Sequence, residues 1–353
     1  MRVVVLNVGS SSIKGSVVDS EAGTAFDNAE LSLGTDASKR RGIDRTVHAL
    51  LEALKVGQGQ GIDAVGHRVV HGGTRFRSAV VVTASVLRRI EELAEFAPLH
   101  NRVAAQGIRA AHAVLPRAPQ VAAFDTAFHA TLPQDQFLYP VPWGWHRDYG
   151  IRRFGFHGLS VEWSMRRSAE LLGRQLDDLA IVVAHLGSGC SVTAVLNGRS
   201  AATSMGLTPM EGLMMGTRSG SIDPGILLYL LRSRRASWRQ LETALDHESG
   251  LVGVSGRRIG MRELEDAARK GNARARLAIE MFVSRTAAGI AAVATALPRV
   301  DALVFTGGIG QRSSAIRERV VERLSALTFG QTLAIEARED AIVARQVQAA
   351  LLR

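Results

Sequence analysis

The sequence predicts an α/β protein assembled from two similar halves, and three stretches carry that reading. VVVLNVGSSSIKGSVVD at 3–19 reads as a strand, a small-residue turn and a second strand. LAIVVAHLGSGCSVTAVLNGRSAATS at 179–204 has the same build, with Asn197-Gly198 as a further hairpin turn. DALVFTGGIG at 301–310 is another apolar strand that breaks into glycines. Helical spacing fills most of the chain between these strands, the alternation that marks the α/β class.

The elements follow in order. The opening hairpin covers about 2–20, and its Gly-Ser-Ser-Ser turn is not a Walker A loop: no GK[ST] follows, and Ile13–Val18 reads as a strand. Glycine and serine still let backbone N–H groups and hydroxyls approach an anion closely, although an ordinary hairpin fits this stretch equally. A helix is expected at 43–56, and a buried strand at 62–71 that ends in Arg68 and His71 before Gly72-Gly73. SVLRRIEELAEF reads as a helix capped by Thr83 or Ser85 and stopped by Pro98, with a second helix from near Asn101. QVAAFDTAFH at 120–129 is a strand ending in Asp125 and His129, and the Pro, Trp and Tyr cluster at 133–149 reads as loop. The expected domains are 1–140 plus 341–353, and 141–340.

Composition narrows the function. At 353 residues two domains are the default, and 46% hydrophobic with 22% charged residues is ordinary for a globular protein. No uninterrupted apolar run reaches the roughly 20 residues of a membrane span, nothing resembles a secretory signal, and Cys190 is alone. A cytoplasmic protein without a membrane partner is expected. The net charge of +10 invites a nucleic-acid reading, but only four of the 43 basic residues are lysine, the arginines are scattered, and aromatics are 5%. Basic and stacking residues are not interleaved, so no nucleic-acid partner is expected; attraction for anionic substrates is.

Duplicated halves with small-residue hairpin turns resemble the ribonuclease H-like fold of actin, hexokinase and Hsp70, two domains around a central cleft. The resemblance then becomes specific. NVGSSSIK at 7–14, GHRVVHGG at 66–73, APLHN at 97–101, FDTAFHATLP at 124–133, FGFHGLS at 154–160, AHLGSGCSV at 184–192, SMGLTPMEGLMMGTRSGSIDPG at 204–225 and FTGGIG at 305–310 resemble the acetate kinase family, in that family's order.

The resemblance implies reversible, Mg²⁺- or Mn²⁺-dependent phosphoryl transfer between ATP and acetate, in a homodimer joined through the second half. The acceptor is already a carboxylate, so positioning and charge neutralisation must supply the catalysis. Guanidinium forks suit both a carboxylate and a phosphoryl group, the roles implied for Arg68 and Arg218. His157 is implied to stabilise the transferring group, with His100 and His185 as weaker candidates. Asp125 is implied near the metal, with Asn7 and, in a poorly matching segment, Glu339 as metal residues. Val70, Leu99, Phe156 and Pro209 are implied to line a small apolar pocket for the acyl group. Phosphate and nucleotide would be held by Ser10, Ser12, Lys14, Gly187, Ser188, Gly189, Arg262, Gly307, Gly308, Ile309 and Gly310.

Three departures fall on the nucleotide side: Ser188 where the family has asparagine, Gly260 where it has aspartate, and Gln311-Arg312 in place of Glu-Asn. They keep open another donor such as pyrophosphate. A propionate or butyrate kinase differs only in pocket volume, and a catalytically silent nucleotide or acyl-phosphate sensor is a rival from another class.

Overall fold

The computed structural model describes residues 1–9, 12–33, 40–56 and 61–353. They divide into two compact units: Met1–Ala130 with Phe156–Trp163 and Arg338–Arg353, and Thr131–Gly155 with Ser164–Ala337. The sequence suggests breaks at 140/141 and 340/341, whereas these units change at 130/131 and 337/338 and the piece 156–163 groups with the first.

The first unit holds β1 (Arg2–Val8), β2 (Ser12–Asp19), β3 (Ala25–Ser32), β4 (Ala64–Val69), β5 (Val80–Val81) and β6 (Gln120–Phe124), in the sheet order β3-β2-β1-β4-β6-β5. The first three strands form an antiparallel meander, while β1, β4 and β6 run parallel. VVVLNV is almost wholly apolar because β1 is covered on both faces. Val4, Leu6 and Val8 join Ile43, Val47 and Leu50 of α1 (Arg40–Ala53) in one core; Val3 and Val5 join Ile342, Val343 and Val347 of the helix Glu339–Leu351 in the other. Strand alternation sends successive side chains to opposite cores.

α2 (Ala84–Glu92) is capped by Thr83, whose hydroxyl accepts from the Val86 N–H. α3 (Pro98–Val114) corrects one expectation, because Pro98 opens this helix instead of stopping the one before. A proline in the first turn has its φ preset and no N–H to leave unpaired.

In the second unit, α4 (Gln134–Phe137) and α5 (Trp143–Tyr149) are two short helices where the sequence suggests loop. α6 (Gly158–Leu172) gives its first six residues to the first unit. The second sheet contains β7 (Ala180–Leu186), β8 (Cys190–Leu196), β9 (Arg199–Thr203), β10 (Ala302–Thr306) and β11 (Gln331–Ala334), in the order β11-β10-β7-β8-β9. Around it lie α7 (Pro224–Arg232), α8 (Trp238–His247), α9 (Gly250–Ser255), α10 (Met261–Arg269), α11 (Ala273–Ala294), α12 (Gly307–Arg312) and α13 (Ser314–Arg323); the last helix, Glu339–Leu351, is α14. α11 is long and apolar enough to cross a membrane by length and composition, but it packs on β7 and β8 and buries Ala278, Phe282, Val283 and Ile290.

The duplication is visible in topology. Both sheets contain a three-stranded meander whose first strand is joined in parallel by a later strand, β3-β2-β1-β4 in one and β9-β8-β7-β10 in the other.

Candidate active site

The carboxyl ends of three adjacent parallel strands gather the polar residues of the first unit, where open α/β sheets place their ligand sites. Asn7 is near the end of β1, Arg68 near the end of β4, and Asp125 just beyond β6. Arg68 sits between two carboxylates. Its Nε and Nη2 donate to Asp125 Oδ1 and Oδ2 at 3.1 and 2.5 Å, its Nη1 donates to Asn7 Oδ1 at 3.1 Å, and its Nε lies 3.3 Å from Glu339 Oε2. Asp125 is only 1% exposed. Burial pushes its carboxyl up, to about 6, against the pull of Arg68 and with the help of Glu339's charge. Burial alone would lower the Arg68 guanidinium, but the two carboxylates outweigh it and hold the group charged.

His157 belongs to the same unit. It stands at φ +59°, immediately before α6, and a non-glycine residue held there costs on the order of 1–3 kcal/mol. The Gly158 N–H donates to the Asp125 carbonyl at 2.9 Å, which ties the start of α6 to the strand end carrying Asp125. His129 donates from Nε2 to the Phe156 carbonyl at 2.9 Å. His71 is buried, its backbone paired with the Asn101 side-chain amide in both directions and its ring stacked on Phe96. Phe156 is buried and meets the His71 ring edge-on, while Val70 is half-buried.

Two buried histidines should make this unit acid-sensitive. Burial lowers both His67, whose Nε2 meets Gln120 Oε1 at 2.7 Å, and His129 to about 4. Groups depressed in the folded state bind fewer protons than in the unfolded chain between about pH 6.5 and 4, so their contribution is present above that window and lost as pH falls through it. The raised Asp125 opposes this below about pH 6, as one group against two. Urea unfolding at pH 7.5 and 5 should show lower stability at pH 5, with a smaller difference in His67→Gln. Unchanged or greater stability at pH 5 would show that these rings are not held neutral.

Some expected residues are elsewhere engaged. Lys14 is 61% exposed on β2 and pairs with Glu30 at 3.5 Å, and the Ser12 hydroxyl donates to the same carboxylate at 2.8 Å. Lys14 therefore has neighbours on both sides: β3 sets it opposite Glu30, its ion-pair partner, and β1 sets it opposite Asn7 of the Arg68 cluster. Ser10 and the Leu99 side chain lie outside the described residues. His100 is half-buried in the first turn of α3.

The second unit holds another polar group. Arg218 Nε lies 3.0 Å from Asp246 Oδ1, and its Nη1 donates to the Pro209 carbonyl at 3.0 Å. No motif marks Asp246 in the sequence, since its pairing with Arg218 spans 28 positions without a local pattern. Gly250, at φ +61°, permits the close approach of this loop: a Cβ there would meet the Met215 and Arg218 carbonyl oxygens at 2.2 and 2.7 Å. The turn between β7 and β8 is closed by the Gly187 N–H donating to Gly189 O at 3.0 Å, and Gly216 N–H donates to Ser188 O at 3.1 Å. His185 lies on β7 just before that turn, and Gly307 to Gly310 open α12. Gly187, Ser188, Gly260, Arg262, Gly308 and Arg312 line one cavity of about 930 Å³, at the upper end of the usual range for small-molecule sites. Ile309 lines it too.

A model of the Acetokinase family matches residues 2–348. The chain belongs to the acetokinase family. It is 47% identical to an acetate kinase from Deinococcus deserti over 350 residues, 93% of this chain and 87% of that one. Among solved structures it is similar to a propionate kinase from Francisella tularensis, with a TM-score of 0.89, 34% identity and 98% of each chain covered. A ROK family glucokinase from Streptomyces griseus matches at a TM-score of 0.51 and 17% identity over the full length of both chains, which places the acetokinase fold among those of the sugar kinases.

Proposed function

We propose that this chain is an acetate kinase, transferring a phosphoryl group reversibly between ATP and acetate to give acetyl phosphate and ADP. The observation that carries the reading is the acetokinase match across residues 2–348. The paired carboxylates around Arg68 support it, since they join a carboxylate-binding fork to hard oxygen donors. The carboxylate acceptor needs no general base. Arg68 would orient it, Arg218 would neutralise the transferring phosphoryl group, and His157 would donate a hydrogen bond that strengthens as charge develops. Val70, Leu99, Phe156 and Pro209 would line the acyl pocket.

Asp125, Glu339 and the Asn7 amide oxygen present the oxygen ligands that suit Mg²⁺ or Mn²⁺, and two carboxylates against one guanidinium leave net negative charge for a cation. Such an ion, when bound, would neutralise phosphate oxygens. The hydrophobic side chains exposed on α7, with Leu228 at 67%, followed by Trp238 at 62%, support a homodimer formed through the second unit. A cytoplasmic setting agrees with the lone buried Cys190, whose thiol burial pushes up to about 12.

The donor is the open part of this reading. Gly260 caps α10 with no side chain of its own, its N–H donating to Glu263 Oε2 at 2.6 Å. The carboxylates that do line the cavity are engaged within the protein, Glu265 accepting from the Ser313 hydroxyl at 2.8 Å and Asp266 pairing with Arg269. A hydrogen bond missing from the nucleoside is worth about 1 kcal/mol, so kcat/KM across ATP, GTP and other triphosphates should stay within about tenfold. A panel of donors and short carboxylates, with acyl phosphate trapped as its hydroxamate, tests the whole reading. Preference for ATP above about a hundredfold would show that other residues rebuild the base site. Turnover with pyrophosphate and none with ATP would overturn the donor assignment, and no acyl phosphate from any pair would overturn the enzyme in favour of a sensor.

A further inference from the structure

A second polar cluster in the second unit involves none of the residues to which the proposed reaction gives a role. Glu211 Oε2 accepts from the Tyr139 hydroxyl, and that hydroxyl oxygen accepts from the Leu207 N–H at 3.0 Å. Glu211 Oε1 accepts from Arg153 Nη2 at 2.8 Å, while Arg153 Nη1 donates to the Ser204 and Met205 carbonyls at 2.9 and 3.0 Å. The Gly206 carbonyl accepts from the Phe154 and Gly155 N–H groups at 3.0 and 3.3 Å. The segment has no room for a side chain at 206, where a Cβ would lie 1.8 Å from Glu211 Oε2 and 2.1 Å from the Tyr139 hydroxyl.

Every residue from Ser204 to Leu207 is therefore held through its backbone, in a stretch that is neither helix nor strand. Two residues further on, the Pro209 carbonyl receives the Arg218 guanidinium. That guanidinium also meets Asp246, at 3.0 Å from Nε, and the Met215 Sδ, at 3.7 Å from Nη1. A carbonyl at the end of an irregular segment can aim a guanidinium only if the segment itself is fixed.

We infer that Tyr139, Arg153 and Glu211 are positioning residues for phosphoryl transfer, a clasp that fixes the 204–211 segment so that the Pro209 carbonyl holds the Arg218 fork at its working angle. The inference rests on the role proposed for Arg218. The clasp does not touch substrate. It acts through the geometry of Arg218, so loosening it should lower kcat and leave nucleotide binding alone, and a misplacement of about 1 Å is enough to cost about 10²-fold.

The test uses the full chain with acetate and ATP, comparing Tyr139→Phe and Glu211→Gln, alone and combined with Arg218→Ala. Both single variants should lose about 10- to 100-fold in kcat with KM for ATP within about twofold, and should lose nothing more when Arg218 is already alanine. Circular dichroism melting and active-site titration with a tight nucleotide analogue correct kcat for the folded fraction. A purely structural role would lower melting temperature and active fraction and leave corrected kcat unchanged; that result overturns the clasp. If Arg218→Ala itself stays within about threefold of wild type, the role of Arg218 fails instead.

Discussion

Arg218→Ala should lower kcat by on the order of 10³ or more while the protein stays folded. The magnitude follows from chemistry in which the nucleophile is already charged and the principal task is to neutralise oxygens on a phosphoryl group in flight. The side chain is held by Asp246 and by the Pro209 carbonyl, so its fork is pre-aimed before substrate arrives. A lysine at 218 would keep the charge but lose the second parallel donor, and should recover only part of the rate. Steady-state assays of both variants decide the matter: activity within about threefold of wild type in the alanine variant would remove Arg218 from the reaction.

Arg68→Ala should strongly destabilise the first unit, as well as abolishing acetate turnover. Removing one partner of a buried pair costs about 3–5 kcal/mol because the other charge is left uncompensated. Asp125 would be that charge, at 1% exposed, with Glu339 adding repulsion. The pH dependence has a definite sign. Without Arg68 the Asp125 carboxyl is raised further, so the variant is penalised above that pKa and recovers as pH falls and the group takes up its proton. The gap in melting temperature between wild type and variant should therefore be wide at pH 8 and narrower at pH 5.5. A gap that is constant or widens in acid would show that the penalty does not come from stranding Asp125.

Much of this was legible in the chain, and the reasons are local. Strand–glycine–strand stretches need only neighbouring residues to specify them, so both hairpins, the late glycine turn and the duplicated α/β class were readable. The cap was readable for the same reason to within two residues, Thr83 or Ser85, and it is Thr83. Other features depended on partners far away in sequence. β3 reads AFDNAELS, too polar to announce a strand, and forms because β2 offers it an edge. Pro98 carries opposite meanings at the end and at the start of a helix, and only the geometry of α3 separates them. Lys14 follows the serine turn, but that the β2–β3 register pairs it with Glu30 while β1 sets it opposite Asn7 was not readable from the turn. Asp246 and Tyr139 lie in no motif, and Glu211 lies in one without a role read for it; their meaning lies in contacts across tens of residues.

The position of α14 sets an order of events during synthesis. Its Ile342, Val343 and Val347 complete the core on one face of β1, and its first residue, Glu339, stands beside Arg68. The ribosome delivers those residues only after the whole of 164–337 has emerged. The first unit, although made first, waits for the α14 side chains on one face of its central sheet, while 164–337 of the second is one unbroken stretch. Nascent chains usually mature from the amino end; here the later unit can consolidate first, and the Arg68 cluster gains its last carboxylate only after 164–337 has been made.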